Sequence, residues 1–127
     1  MHPDGDAAAA GAIGARLERE FVAEGRHLTT VGGTIPAPVL STPAMIGEME
    51  RTAAMLARRH LPGDQATVGF EVCIRHVAGA GEGARCTASA VVAEIVDGRK
   101  WRFEVEVREG DRVLGLGTHE RRVVRAA

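Results

Sequence analysis

The sequence predicts an α+β domain in which one long helix is wrapped by a mainly antiparallel sheet of four or five strands. Three observations predict it: one amphipathic run bounded by helix-start and helix-stop signals, an apolar period that changes from 3.6 to 2 after it, and turn signals between the strands that follow. A meander of this kind excludes a parallel α/β sheet, whose strands need crossovers of a dozen or more residues. At 127 residues, 45% of them hydrophobic, the chain can build one core, and no internal repeat or second domain is visible. Residues 1–14 are rich in Ala and Gly, offer little to bury, and are expected to form a disordered tail, leaving 15–127 as a single domain.

Each element has a local reason. Residues 16–23 fit both a short charged helix and an edge strand, and a strand is favoured. Gly32-Gly33, Pro36 and Pro38 break regular structure, so 31–40 is expected as an extended or mobile loop. Thr42 is expected as an N-cap with Pro43 at the first helical position, and the helix is expected over 43–61, ended by Pro62-Gly63-Asp64. Strands follow at 67–77, 85–96, 101–108 and 112–124, with Asp97-Gly98 a two-residue hairpin and Glu109-Gly110-Asp111 a second turn. Gly115 and Gly117 either flatten the last strand or admit another backbone.

Composition removes several function classes. A net charge of -1 provides no field for a polyanion, and 3% aromatic residues leave little for stacking on nucleic-acid bases. Cys73 and Cys86 lack metal-ligand spacing and are expected as buried, reduced thiols, with no metal site. No apolar stretch is long enough to span a bilayer and the Ala7–Ala10 run lacks the features of a signal peptide, so a cytoplasmic protein without a membrane partner is expected.

Two residues break the pattern of the core. On a helical wheel Glu48, Arg51, Arg58 and Arg59 share the arc assigned to solvent. The opposite arc carries Met45, Ile46, Met49, Ala53, Leu56, Ala57 and Leu61, with Glu50 in its midst. Strand alternation puts His76 on the face of Phe70, Val72 and Ile74, toward the helix. Either alone has a structural explanation, a paired carboxylate or a satisfied core histidine; together, a Glu and a His across a helix–sheet interface suit hydrolysis, since either takes a proton from water. Thr42, a sufficient cap in its own right, also lies at the positive end of the helix dipole, where first-turn amides bind developing negative charge. Gly69 lies in the strand that bears His76, where a missing side chain would admit a substrate carbonyl, or simply mark a bulge. His119 is expected to be structural or peripheral.

These residues resemble a family, the hotdog-fold thioesterases similar to fluoroacetyl-coenzyme A thioesterase. The matching pieces are Ser41-Thr42-Pro43-Ala44-Met45-Ile46, Met49-Glu50, Val68-Gly69, 72–76 and Gly117-Thr118-His119-Glu120-Arg121 before Val123-Val124, covering roughly 39–124. The resemblance implies a hotdog fold, a homodimer with active sites at the subunit interface, and hydrolysis of an acyl-CoA thioester by a triad mapping onto Thr42, Glu50 and His76. It further implies a glycine amide at Gly69 that helps to place the acyl group, with no cofactor, coenzyme A being part of the substrate. The fluoroacetyl-specific relative has a phenylalanine lid before the helix, whereas 31–41 here contains no aromatic residue. Two alternatives stand beside this: a hotdog hydratase or dehydratase of enoyl or 3-hydroxyacyl thioesters, and a non-catalytic acyl-thioester binding module.

Overall fold

The computed structural model describes residues 11–126. The elements are β1 (Arg16–Val22), a 3-10 turn (Gly25–His27), β2 (Leu28–Thr29), β3 (Val39–Leu40), α1 (Thr42–Arg58), β4 (Gln65–His76), β5 (Arg85–Val96), β6 (Lys100–Glu109) and β7 (Arg112–Arg125). The five long strands form one antiparallel sheet in the order β1-β5-β6-β7-β4, wrapped around α1, which is the hotdog fold; β2 and β3 make a separate ladder. The segment 31–40 is thus a turn that closes into β3. Residues 1–10 of the expected tail lie outside the described residues, while 11–14 form a turn that buries Ala12 and bonds the Gly14 amide to the Val92 carbonyl. Among the described residues no helix is long and apolar enough to cross a membrane.

The core lies between the helix and the concave face of the sheet. Met45, Met49, Ala53, Leu56 and Ala57 of α1 are buried with Ala88, Ala90 and Val92 of β5 and Trp101, Phe103, Val105 and Val107 of β6. The alanines on both sides let helix and sheet approach closely, and the large rings beside them fill the volume. Asp97 and Gly98 both take positive φ, 55° and 66°, the conformation that a tight hairpin between twisted strands requires. The helix ends three residues earlier than expected, in a tighter turn over 59–61 whose amides bond three residues back, because the residue before Pro62 is held out of the helical region.

Strand β4 departs most from simple alternation. Gly69 opposes Arg121 and Glu71 opposes Glu120, so Phe70 is the extra residue of a β-bulge. Val68 and Phe70 therefore face outward, with the Arg122 guanidinium 3.6 Å over the Phe70 ring, while Val72, Ile74 and His76 face α1. The expected common face of Phe70 with His76 is corrected: the bulge divides it. Cys73, expected to be buried, is exposed because it alternates with Val72 and Ile74 and so lies on the outer face; Cys86 is buried, and burial pushes its thiol pKa up.

Gly117 allows β7 and β4 to pair where the strands come closest. A side chain there would overlap the Cys73 carbonyl oxygen and reach to 2.9 Å from the Ile74 Cα, both backbone atoms that cannot swing away. Gly117→Ala is expected to lower the unfolding free energy by about 1–3 kcal/mol, whereas Gly81→Ala, with nothing within 4 Å of the added carbon, should change it little. Urea unfolding of both variants measures this, and equal stabilities would disprove it.

Candidate active site

Helix α1 starts at Ser41, whose backbone is extended (φ -76°, ψ 151°) and whose Oγ accepts the Ala44 amide at 3.1 Å. Ser41, not Thr42, is the N-cap, one residue earlier than expected. Thr42 opens the helix, its hydroxyl has no capping duty, and Oγ1 lies 2.7 Å from Nδ1 of His76. Of the first-turn amides, Pro43 has none to offer and that of Ala44 is taken by Ser41, which narrows the expected anion-binding capacity of the helix start to the Thr42 amide. His76, at the end of β4 opposite Gly115, is half-buried, and its Nε2 is buried without a hydrogen-bond partner.

Glu50 is half-buried and faces β4. A Cβ built on Gly69 would lie 3.2 Å from Glu50 Oε2, 3.7 Å from Arg121 Nη1 and 3.7 Å from His119 Cε1, so a carboxylate, a guanidinium and an imidazole converge on the space this glycine leaves open. Arg121 is buried, donating from Nε to Thr67 Oγ1 at 2.7 Å and from Nη2 to the Thr67 carbonyl at 2.9 Å. Its Nη1 lies 3.2 Å from His119 Nε2, and His119 Nδ1 is 2.9 Å from the Glu71 carbonyl. Arg121 can only donate, so His119 accepts at Nε2 and donates from Nδ1: it is a neutral imidazole with a fixed tautomer.

Glu48, assigned to solvent by the wheel, is the more deeply buried carboxylate, with 6% of its surface exposed. Arg51 Nη2 at 3.0 Å, Arg19 Nη1 at 3.3 Å and His27 Nε2 at 3.3 Å surround it. Glu48 and Glu50 flank Met49 on opposite sides of the buried stripe, and the wrapped sheet covers both flanks.

Of the four residues singled out in the sequence, the fold brings together Thr42 with His76 and Glu50 with Gly69. The expected direct meeting of Glu50 with His76 is not made among the described residues. The two pairs are separated by two turns of α1, about 12 Å at 1.5 Å per residue. His119 and Arg121 belong to the Glu50 cluster, which the sequence reading left out. Alternation along β7 from Gly115 puts 117, 119 and 121 on the face toward α1, and a His and an Arg on a core-facing strand were the available signal.

A family model described as fluoroacetyl-CoA-specific thioesterase matches residues 22–127. The fluoroacetyl-CoA thioesterase of Streptantibioticus cattleyicolor is 30% identical over 86 residues, 68% of this chain and 61% of that protein, so the match spans less than two thirds of the relative's length. Among solved structures, the fluoroacetyl-CoA thioesterase FlK superposes with a TM-score of 0.80 at 24% identity, over 89% of this chain and 87% of that one. A hypothetical protein of Thermus thermophilus, described as a thioesterase superfamily member, does so with a TM-score of 0.79 at 23% identity, over 89% and 83%.

Burial holds the His119 pKa below the usual imidazole value and Arg121 adds to this, against the opposing influence of the Glu71 carbonyl and Glu50. The unfolded chain therefore takes up this proton at a higher pH than the folded chain. The stabilisation is complete above the unfolded value of about 6.5 and declines as pH falls through it. The urea unfolding free energy should fall between pH 7.5 and 5.5, roughly the window around that value, and His119→Asn should flatten the decline. An unchanged slope in the variant would rule His119 out as its source.

Proposed function

The chain belongs to the family of fluoroacetyl-CoA-specific thioesterases, and on that premise we propose that it hydrolyses an acyl-CoA thioester to the free acid and coenzyme A, using Thr42, Glu50, His76 and Gly69. The observation that carries this proposal is the 2.7 Å bond between Thr42 Oγ1 and His76 Nδ1. A hydroxyl on an imidazole is the arrangement of a nucleophile and its base, and here the hydroxyl has been released from capping by Ser41. His76 takes the proton as an oxygen, that of Thr42 or of a water Thr42 positions, attacks the thioester carbon. The carbon–sulfur bond breaks as the His76 imidazolium returns its proton to the departing thiolate; a water attacking directly gives the free acid at once, whereas an ester on Thr42 is then cleaved by a water that His76 deprotonates, which releases the acid and restores the hydroxyl. Glu50 borders the acyl position from the other side, with Gly69 leaving room for the carbonyl, so the substrate spans the gap between the pairs. The relatives are named for thioester hydrolysis, which favours this over the hydratase or the pure binding module.

The assembly proposed is a homodimer formed along β4. This strand is the edge of the sheet and carries Val68, Phe70 and Val72, exposed by 49%, 59% and 43%, an apolar edge that a second strand would cover. The free, exposed thiol of Cys73 suits a reducing, cytoplasmic setting. A single domain over 15–127 completes the proposal. With no aromatic residue in 31–41 and Val31 56% exposed, little apolar surface stands over the acyl group, so short and medium acyl chains should be accepted together.

Steady-state kinetics on fluoroacetyl-, acetyl-, propionyl- and longer acyl-CoA tests the chemistry. His76→Ala is expected to lower kcat by about 10²–10⁴ while KM changes little, and Glu50→Gln should also lower kcat. Wild-type turnover in either variant on every accepted substrate would remove that residue from the reaction. Fluoroacetyl-CoA should not be preferred to acetyl-CoA by as much as roughly 10⁴, since an apolar pocket separates such isosteres by only about 1–3 kcal/mol. Sedimentation at micromolar concentration should return the mass of two chains; an active monomer would disprove the dimer.

A further inference from the structure

We propose that His27 is a positioning residue for the Thr42 hydroxyl: through its backbone carbonyl and its ring together it sets the start of α1, and so holds Thr42 Oγ1 against His76. The inference rests on the acyl-CoA hydrolase reading above and adds to it a residue remote from the reacting atoms.

The two halves of the Thr42–His76 pair belong to different bodies. His76 is carried by the sheet, where it pairs with Gly115 of β7 and the neighbouring Val77 amide bonds to the Leu114 carbonyl at 2.7 Å. Thr42 is carried by α1, whose packing on the sheet is apolar and therefore non-directional, whereas hydrogen bonds fix direction. His27 supplies two bonds to α1. Its carbonyl accepts the Ser41 amide at 2.8 Å, immediately before Thr42, and its Nε2 lies 3.3 Å from Oε1 of the buried Glu48. A carboxylate only accepts, so the ring donates. His27 Nδ1 is buried without a hydrogen-bond partner among the described residues, so the bond to Glu48 is the polar contact that orients the ring. Phe21 of β1 flanks it, with ring centroids 5.2 Å apart.

Ser41 and Glu48 are seven residues apart and lie on one side of the helix, about 20° from each other at roughly 100° per residue. Thr42 is one residue round from that line. Two bonds along the line resist rotation of α1 about its axis. A rotation of about 10° would move the Thr42 Cα, about 2.3 Å from the axis, by roughly 0.4 Å, and the hydroxyl by more. The contact of 2.7 Å with His76 leaves little slack for such a movement. The other partners of Glu48 do less for the helix start. Arg51 belongs to α1 itself and ties it to no other element through Glu48, and Arg19 ties Glu48 to β1. Of the three, only His27 also bonds to the backbone that precedes Thr42.

Three substitutions in the full chain test the assignment: His27→Ala, His27→Asn, which is polar but too short to reach Glu48, and His27→Gln, which keeps a side-chain N–H at the right reach. On acetyl- and propionyl-CoA, His27→Ala and His27→Asn should each lower kcat by about tenfold with KM unchanged, since a misplacement of about 1 Å costs roughly 10² in rate and about half of that displacement is expected. His27→Gln should regain most of the loss. Nitrogen NMR of the His76 imidazole reads the Thr42 bond without turnover. The Nδ1 signal should move in His27→Ala and His27→Asn in the direction in which Thr42→Ala moves it, and return in His27→Gln. Lower urea stability in the Ala and Asn variants with kcat and the His76 signal unchanged would overturn the proposal and leave His27 a purely structural residue. A His76 signal that follows His27 in a protein hydrolysing no acyl-CoA would refute the activity and keep the positioning; hydrolysis with kcat and signal indifferent to His27 would do the reverse.

Discussion

One extra residue in β4 governs the site. Without the bulge at Phe70, strict alternation would send Gly69 and His76 to opposite faces of the sheet, because they are an odd number of residues apart. With it, both face α1. The bulge also disrupts the ladder locally, and the Glu71 carbonyl accepts from His119 Nδ1. That bond fixes the tautomer that lets His119 accept from Arg121, and Arg121 in turn clasps Thr67 on the near side of the bulge. A backbone irregularity and a buried polar chain thus stabilise each other, each satisfying groups that the other would leave unpaired.

The start of α1 shows a division of labour between adjacent hydroxyls. Ser41 closes the amide of the first turn, and its own amide bonds to the His27 carbonyl, tying the helix start to the 3-10 turn. Thr42 follows it and is turned by the helical twist toward β4 and His76. The His27 ring reaches Glu48 one turn and a half farther along the same helix, so the segment before α1 is held at two points, one backbone and one side chain. The two carboxylates of α1 differ through their surroundings. Glu48 is enclosed by the guanidinium groups of Arg19 from β1 and Arg51 from its own helix and by the His27 ring of the 3-10 turn, which offset the cost of burial. Glu50 faces the gap at Gly69 and no side chain within salt-bridge distance among the described residues holds it, which leaves its oxygens open to a ligand.

The sequence by itself determined the order and type of the long elements from the helix onward, while 16–23 fitted strand and helix alike. Helix signals at Thr42-Pro43 and Pro62-Gly63, the Asp97-Gly98 turn and period-2 patterning are local, and local chemistry acts before any tertiary contact forms. It also picked out Thr42, Glu50, Gly69 and His76, because a carboxylate or imidazole against an apolar stripe is an anomaly visible without coordinates. The tertiary structure alone decided which of these residues meet. Ser41 could be recognised as the cap only from backbone angles, since Ser and Thr are both good caps and stand side by side. Glu48 looked solvent-exposed because a wheel treats the helix as lying on a flat surface, whereas this sheet curves round it and brings Arg19 and His27 to its flank. The partition of β4 between two faces depended on a bulge set by its pairing with β7, and a register between strands some fifty residues apart is a property of the closed sheet, not of either strand's own sequence.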